Sequence, residues 1–287
     1  YLLFTKKDLL FSNDVDTLLA NYIISKLQNK KLVFDSHELF SEIPELVHKK
    51  RVKNVWVFLE QTIIPKLQTV ITVSDSIKKH YQDLYGISAI VIRNIPVIKT
   101  INPKEFEIET NGKKIILYQG SVNIGRGLEL MIETMPLLEE YIFVIIGDGD
   151  ITEKLKNKVT NLSLVDRVKF LGKKTPNELK KLTPNATIGI SLEEDLGLNY
   201  RYALPNKIFD YLHANVPVIV ADLKEMKTLI SNYSFGKVLQ ERSTECLAKT
   251  IKSMEYISYK KELKDAKEEL NWSIEKEKLT SIFLKRV

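Results

Sequence analysis

An α/β protein of two doubly wound, Rossmann-like domains, the N-terminal one incomplete, is predicted from three observations. Short apolar segments alternate with amphipathic stretches of helical period along the 287 residues, the pattern of parallel sheets with crossover helices. Residues 99–112 interrupt that pattern with prolines and charges, and read as a linker. Six strand segments follow the linker and four precede it, so a complete doubly wound unit follows a partial one.

The first part, 1–98, carries strand patterns near 9–12, 31–35, 69–73 and 89–92, with helices near 15–28, 49–64 and 76–84. Ser74 or Asp75 is placed to cap the last of these helices. The second part, 113–257, has strands near 114–118, 142–146, 168–171, 187–191, 217–220 and 237–239. Its helices fall near 127–138, 151–162, 176–182, 205–213, 223–230 and 244–254. Residues 258–287 form a charged helical tail with Leu263, Leu270, Trp272, Leu279 and Phe283 at its apolar positions. Trp272 is expected to anchor that tail, which would pack back toward the first domain.

Composition narrows the class. No apolar run reaches the length that spans a bilayer. The single cysteine, Cys246, allows no internal disulfide and fits a reducing, cytoplasmic compartment. The four histidines, His37, His48, His80 and His213, lack metal-ligand spacing, and no acidic cluster of the D-x-D kind stands at a strand end, so no metal and no cofactor are expected. A net charge of +6 favours anionic partners. The basic clusters at 48–51, 78–80, 113–114, 173–174 and 180–181 are short and read mainly as solvated helix ends and loops. They leave room for peripheral association with an anionic membrane face. No basic stripe interleaved with aromatics supports nucleic-acid binding. The chain opens on Tyr1 rather than methionine, which leads to the expectation of a processed or shortened chain.

Two stretches carry chemistry. In LPNKIFDYLHANVPVIV, 204–220, a helix is predicted to begin at Pro205, with Lys207 in its first turn and Asp210 one turn further. Proline is favoured at the first helical position, and the free N–H groups there, Asn206 among them, attract anions. Lys207 suits a phosphate and Asp210 suits vicinal sugar hydroxyls, the pairing that a nucleotide-sugar needs. Each also has a plain alternative as a solvated surface residue. In IILYQGSVNIGRG, 115–127, a strand runs into a turn with Gly120, Gly125 and Gly127, and Arg126 offers an always-charged fork for phosphate oxygens. Such turns are common in parallel α/β folds, so this second stretch alone is weak. Asp148 in GDGD closes a turn, and His213 packs at a helix end. His37 opens HELF, which lacks the second histidine of a zinc-protease helix. From spacing alone it reads as a capping or core-edge histidine bonded to backbone.

The ordered series FDSHELFSEIPEL (34–46), VITVSDSIKKHY (70–81), VIRNIP (91–96), YQGSVNIGRGLELMIE (118–133), VIIGDGD (144–150), VKFLGKKTPNEL (168–179) and LPNKIFDYLHANVPVI (204–219) resembles family-4 glycosyltransferases, the retaining enzymes of the GT-B fold. The resemblance spans nearly the whole chain and implies a donor-binding domain at 113–257 and an acceptor-side domain at 1–98. It places Arg126 at the family's phosphate-binding lysine and Gly120–Ser121 at its glycine–arginine pair, where serine replaces a usual cation and Lys207 takes over that charge. It places Leu171, Gly172 and Lys173 in the loop that frames the nucleobase through backbone groups. Asp210 matches the second acid of E-x7-E. The first acid falls at Tyr202, a departure at the position facing the transferred sugar, with Glu193, Glu194 and Asp195 nearby as substitutes. His37 becomes the acceptor-side residue that reaches the sugar ring, with Glu38 a weaker candidate.

The resemblance implies transfer of a sugar, of hexosyl type, from a UDP- or GDP-type donor to a saccharide or lipid-linked acceptor, as in polysaccharide biosynthesis. Configuration is retained, with Arg126, Lys207 and helix N-termini stabilising the leaving diphosphate without a metal. Location would be cytoplasmic or peripheral at the inner membrane face, and a shortened chain would lack part of its acceptor side and turnover. A nucleotide-sugar 2-epimerase and a non-catalytic nucleotide-sugar-binding module are the competing readings. A dinucleotide oxidoreductase fits poorly, because the glycines stand at 120, 125 and 127 rather than as G-x-G-x-x-G.

Overall fold

The computed structural model describes residues 1–43, 46, 49–97 and 102–284. His48, with the start of its basic cluster, and the linker positions 99–101 lie outside the described residues, as do 44 and 45 of the segment 34–46 and the last three tail positions. The chain divides into two compact units: Tyr1–Asn94 with Asp195–Leu204 and Lys278–Val287, and Ile95–Glu194 with Pro205–Glu277. The first boundary between the units follows Asn94, residue 98 of the expected boundary lies outside the described residues, and the described part of the linker, 102–112, holds no helix or strand.

Unit 1 holds a parallel sheet of β1 (Leu9–Asn13), β2 (Lys31–Ser36), β3 (Thr69–Thr72) and β4 (Ile90–Val91), in that order. The crossovers carry α1 (Asp14–Leu27), α2 (Lys50–Ile63) and α3 (Asp75–Tyr85). Alternation along β2 and β3 splits the core, with Phe34 and Val70 packed among Leu18, Ile63 and Ile77, and Val33 and Ile71 packed against Ile282 of the chain end. Ser74 is the cap of α3, its Oγ accepting from the Ile77 N–H.

Glu60 of α2 is buried, accepting from the Ser41 N–H at 3.3 Å and the Tyr85 hydroxyl at 3.2 Å. Burial raises its pKa, partly offset by these bonds. The folded carboxyl therefore keeps its proton to higher pH than the unfolded one, and its contribution to stability falls as pH rises through the window above 4.5. Glu60→Gln removes that loss. The variant-minus-parent difference in Tm should be more positive at pH 7 than at pH 4.5, and a difference independent of pH would show that Glu60 titrates normally.

Unit 2 is a complete doubly wound sheet. Its strands are β5 (Lys114–Gln119), β6 (Tyr141–Ile146), β7 (Val168–Phe170), β8 (Ile188–Ser191), β9 (Val218–Ala221) and β10 (Gly236–Leu239), ordered β10-β9-β8-β5-β6-β7 and all parallel. Strand order reverses between β8 and β5, the switch point beside which ligands bind in such sheets. β6 is buried along its whole length, as a central parallel strand must be.

The helices are α4 (Leu128–Thr134), α5 (Thr152–Asn161), α6 (Pro176–Leu182), α7 (Leu198–Tyr202, grouped with unit 1), α8 (Asn206–His213), α9 (Lys224–Tyr233), α10 (Thr244–Met254), α11 (Lys260–Glu269) and α12 (Trp272–Leu284). Three expectations change. Pro205 is not the first helical residue but the extended N-cap of α8, with ψ 134°, which leaves Asn206 to open the helix. The tail is two helices, because Asn271 Oδ1 accepts from the N–H groups of Ser273 and Ile274 and starts α12 anew. Trp272 is only half-buried, whereas Tyr259, Leu263, Ala266, Leu270 and Ile282 are among the buried tail residues.

Candidate functional site

The switch point of unit 2 gathers charged side chains. β5 delivers Tyr118 and Gln119 and then turns at Gly120. β8 ends at Ser191, two residues before Glu193, and α8 starts its first turn with Lys207. Lys207 Nζ donates to Glu193 Oε1 at 2.8 Å and sits 4.2 Å from the Tyr118 ring centroid. Ser191 Oγ donates to the other Glu193 oxygen at 2.7 Å, and Arg126 NH1 stands 3.9 Å from Oε1. Glu193 is 1% exposed and Lys207 9%. Burial alone would raise the Glu193 pKa. The Lys207 ammonium, bonds from Lys207 and Ser191, and the Arg126 charge reverse that and hold it below the usual carboxylate value. Two cations thus share one carboxylate at a helix N-terminus, leaving positive charge for an anion.

The surrounding loops are locked to one another. Gly127 is the left-handed N-cap of α4, φ 74°, and a Cβ there would stand 2.2 Å from the Leu192 carbonyl oxygen. Gly147, φ 143°, passes so near the Gly120 carbonyl that a Cβ would meet it at 1.8 Å. Backbone bonds from Gly120 to Ile146, Gly147 to Gly172 and Leu171 to Ile145, all 2.9 Å, tie the predicted base-framing loop to the sheet end. Gly120, Ser121, Gly172, Lys173 and Asn206 are exposed, while Leu171 and Pro205 are half-buried. Leu171 faces a smaller cavity with Lys104, Lys174 and Glu178.

Asp210 lies one turn beyond Lys207. Its Oδ2 accepts from Gln119 Nε2 at 3.0 Å, and Gln119 Oε1 accepts from Thr183 Oγ1 at 2.8 Å. Burial raises its pKa against the Gln119 bond and the Lys180 charge. Asp210, Gln119 and Thr183 line a cavity of about 550 Å³ with Pro176, Leu179 and His213, a volume suited to a small organic ligand. His213 ends α8, half-buried and bonded to the Leu270 carbonyl at 2.8 Å. Asp148 closes its turn as expected, accepting from Gly149 N and Thr152 Oγ1.

The three acids proposed to replace the one missing at Tyr202 all have cationic partners. Glu193 holds Lys207, Glu194 pairs with Arg242 at 3.2 Å, and Asp195 in unit 1 pairs with Arg201 at 2.9 Å. Tyr202 lies in unit 1, where its carbonyl accepts from Ser74 Oγ. The sequence reading missed Tyr118, Gln119, Ser191 and Arg242. Arg242 donates to the Leu192 and Glu193 carbonyls and so fixes the loop behind Glu193.

In unit 1, the contacts of His37 among the described residues are with carboxylates, not with a backbone carbonyl. Its Nε2 lies 2.9 Å from Asp35 Oδ2 and its Nδ1 3.7 Å from Asp14 Oδ2, while its N–H donates to Asp14 Oδ1. Burial raises the pKa of both Asp14 and Asp35, with His37 acting in the opposite direction. The ring is 53% exposed. Glu38 accepts from Asn199 of α7 at 2.9 Å. Among the described residues no group of three or more His, Cys, Asp or Glu side chains could hold a metal ion, and no helix is long and apolar enough to cross a membrane.

A family model described as glycosyl transferases group 1 matches residues 100–270, more than half of the chain. An uncharacterized glycosyltransferase of Methanocaldococcus jannaschii is 26% identical over 199 residues, 62% of this chain and 48% of that protein. The O-antigen chain mannosyltransferase of Salmonella typhimurium is 24% identical over 231 residues, 75% of this chain and 62% of that protein. The matches thus span about half to three-fifths of these relatives' lengths. Among solved structures, Anabaena HepE in complex with UDP superposes with a TM-score of 0.77 at 16% identity, covering 97% of this chain and 79% of that one. Sucrose-phosphate synthase of Thermosynechococcus elongatus gives 0.80 at 15% identity, covering 97% and 73%. The structural likenesses establish the GT-B type of two-unit α/β fold.

Proposed function

We propose, for a chain that belongs to the family of glycosyl transferases group 1, that unit 2 binds a nucleoside diphosphate-sugar of UDP or GDP type and that the protein passes the sugar to a saccharide or lipid-linked acceptor with retained configuration. The observation that carries this reading is the Arg126–Glu193–Lys207 cluster at the β5/β8 switch point, with Asp210 one turn further along α8. Arg126, Lys207 and the first N–H groups of α8 hold the diphosphate. Asp210 accepts from the ribose hydroxyls, and the adjoining cavity has room for a nucleoside. The solved complexes of HepE with UDP and with UDP-glucose support a donor of this class, and the Salmonella relative supports a role in polysaccharide assembly.

In the reaction, the bond from the anomeric carbon to the diphosphate oxygen breaks and the acceptor oxygen bonds to that carbon on the same face. The acceptor proton passes to the departing phosphate. The negative charge that grows on the diphosphate meets cations already in place, so little reorganisation opposes it. This reading needs no metal for the leaving group. His37, buttressed by Asp14 and Asp35, is the candidate for orienting the sugar from unit 1.

Calorimetric titration with UDP, GDP, ADP and NAD in EDTA tests the reading. One nucleoside diphosphate should bind, and Asp210→Ala should weaken it about tenfold, the loss of one hydrogen bond to a charged group. Binding should also weaken as pH falls through the raised Asp210 pKa, since a protonated carboxyl accepts fewer hydrogen bonds. Asp210→Asn should remove that component. Binding of NAD alone, or of no nucleotide, would overturn the donor-site assignment.

A further inference from the structure

Gln119 is the last residue of β5, and α8 grips it twice. β5 and β8 are paired at Ile116 with Ile188 and at Leu117 with Gly189, so by Gln119 the two strands have parted. The Tyr211 hydroxyl fills the opening. It accepts from the Gln119 N–H at 3.2 Å and donates to the Leu117 carbonyl at 3.0 Å. Its ring lies so close over Gly189 that a Cβ there would stand 2.4 Å from it. The preceding residue of α8, Asp210, accepts from the Gln119 side chain at 3.0 Å. One residue of β5 is therefore held by two consecutive residues of α8, through its main chain and through its amide.

The amide is itself oriented from behind. Gln119 and Thr183 are both buried. Thr183 Oγ1 donates to Gln119 Oε1 at 2.8 Å, with the Leu179 carbonyl at 2.7 Å as a second acceptor. The amide oxygen is thus taken by a hydroxyl, and the NH2 end is turned to Asp210. The reverse orientation would set the amide oxygen against a carboxylate, two acceptors face to face. Asp210 Oδ1 takes no hydrogen bond among the described residues. We propose that Gln119, oriented by Thr183, is the positioning residue that aims the Asp210 carboxylate at the ribose, so that preference for ribonucleotides over 2′-deoxyribonucleotides depends on this buried amide. A carboxylate held in place before the ligand arrives needs less ordering when it binds. The Gln119 bond also opposes the rise that burial imposes on the Asp210 pKa, which keeps the acceptor ionised.

The inference rests on the nucleotide-sugar reading of unit 2, and calorimetric titration of the full chain with UDP, 2′-deoxy-UDP, GDP and 2′-deoxy-GDP separates the two. The parent should bind one ribonucleotide about tenfold more tightly than its deoxy form, the contribution of one hydrogen bond to a charged group. Gln119→Leu, similar in size and without the donor, should bring the two affinities close together. Thr183→Val should narrow the gap in the same direction, whereas Thr183→Ser, which keeps the hydroxyl, should retain it. Inorganic pyrophosphate carries no ribose and should bind Gln119→Leu as it binds the parent. If the parent binds neither ribonucleotide, the donor reading fails and this inference with it. If the parent prefers the ribonucleotide and Gln119→Leu keeps that preference, even with weaker binding of both forms, the donor reading stands and the positioning role of Gln119 is overturned. A parent that binds both forms equally overturns it as well. Should Gln119→Leu not fold, an unchanged preference in Thr183→Val overturns the proposal in its place.

Discussion

Lys207→Ala is expected to lower kcat for sugar transfer by about 100- to 1,000-fold, the usual loss when one preorganised contact to developing charge is removed. The donor KM should move much less. The ground-state diphosphate is already held by Arg126 and the α8 N-terminus, whereas the extra charge on the leaving oxygen exists only at the transition state. The geometry makes Lys207 a strong candidate for that contact. Its ammonium is fixed by Glu193 at 2.8 Å and by the Tyr118 ring at 4.2 Å, so it does not have to be recruited from solvent. The substitution also strands Glu193, so the melting temperature of the variant has to be recorded beside its rate, with the rate read below that temperature. Near-normal turnover in a folded variant would remove Lys207 from the mechanism.

Much of this site was legible because its parts are local. Lys207 and Asp210 are three residues apart on one helix, and the proline, the helix period and the following apolar strand place both at a strand end from sequence alone. The alternation of strands and helices was equally plain, since a parallel sheet buried on both faces writes continuous apolar runs such as 141–146.

What the sequence left unread depends on contacts between distant segments. Glu193 looked like a candidate for touching the sugar. Its actual partner is Lys207, fourteen residues on, because the loop after β8 folds inward under the grip of Arg242. His37 was weighed between a backbone contact and a sugar contact. Asp35 stands two residues away, but Asp14 joins only through pairing of β1 with β2, whose register sets Asn13 opposite Asp35 and so brings Asp14 alongside. The break before α12 was readable in principle, for Asn271 followed by Trp-Ser-Ile is an N-cap signal. The charged heptad-like run around it masked the signal.

The pair Glu193–Lys207 should account for the largest stability effect in unit 2. Glu193→Gln keeps the shape and removes the charge, leaving an ammonium 9% exposed with Arg126 close by and no anion between them. Breaking a buried pair from one side costs about 3–5 kcal/mol. Because the folded Glu193 pKa is depressed, the stability it contributes is present above the unfolded value of 4.5 and is lost as pH falls through the lower folded value. The destabilisation by Glu193→Gln is therefore greatest near neutral pH and shrinks in acid.

Lys207→Met should cost a comparable amount by stranding the carboxylate, while Glu193→Gln with Lys207→Met should recover most of the loss, since neither buried charge is then left alone. Chemical denaturation of the four proteins at pH 7 measures the coupling. Additive losses in the double variant would mean that the two side chains stabilise unit 2 independently. The same set bears on the donor. In Glu193→Gln the lysine has lost its internal counter-charge, so a nucleoside diphosphate should raise the melting temperature of this variant more than that of the parent. An equal shift in both would show that the diphosphate does not approach Lys207.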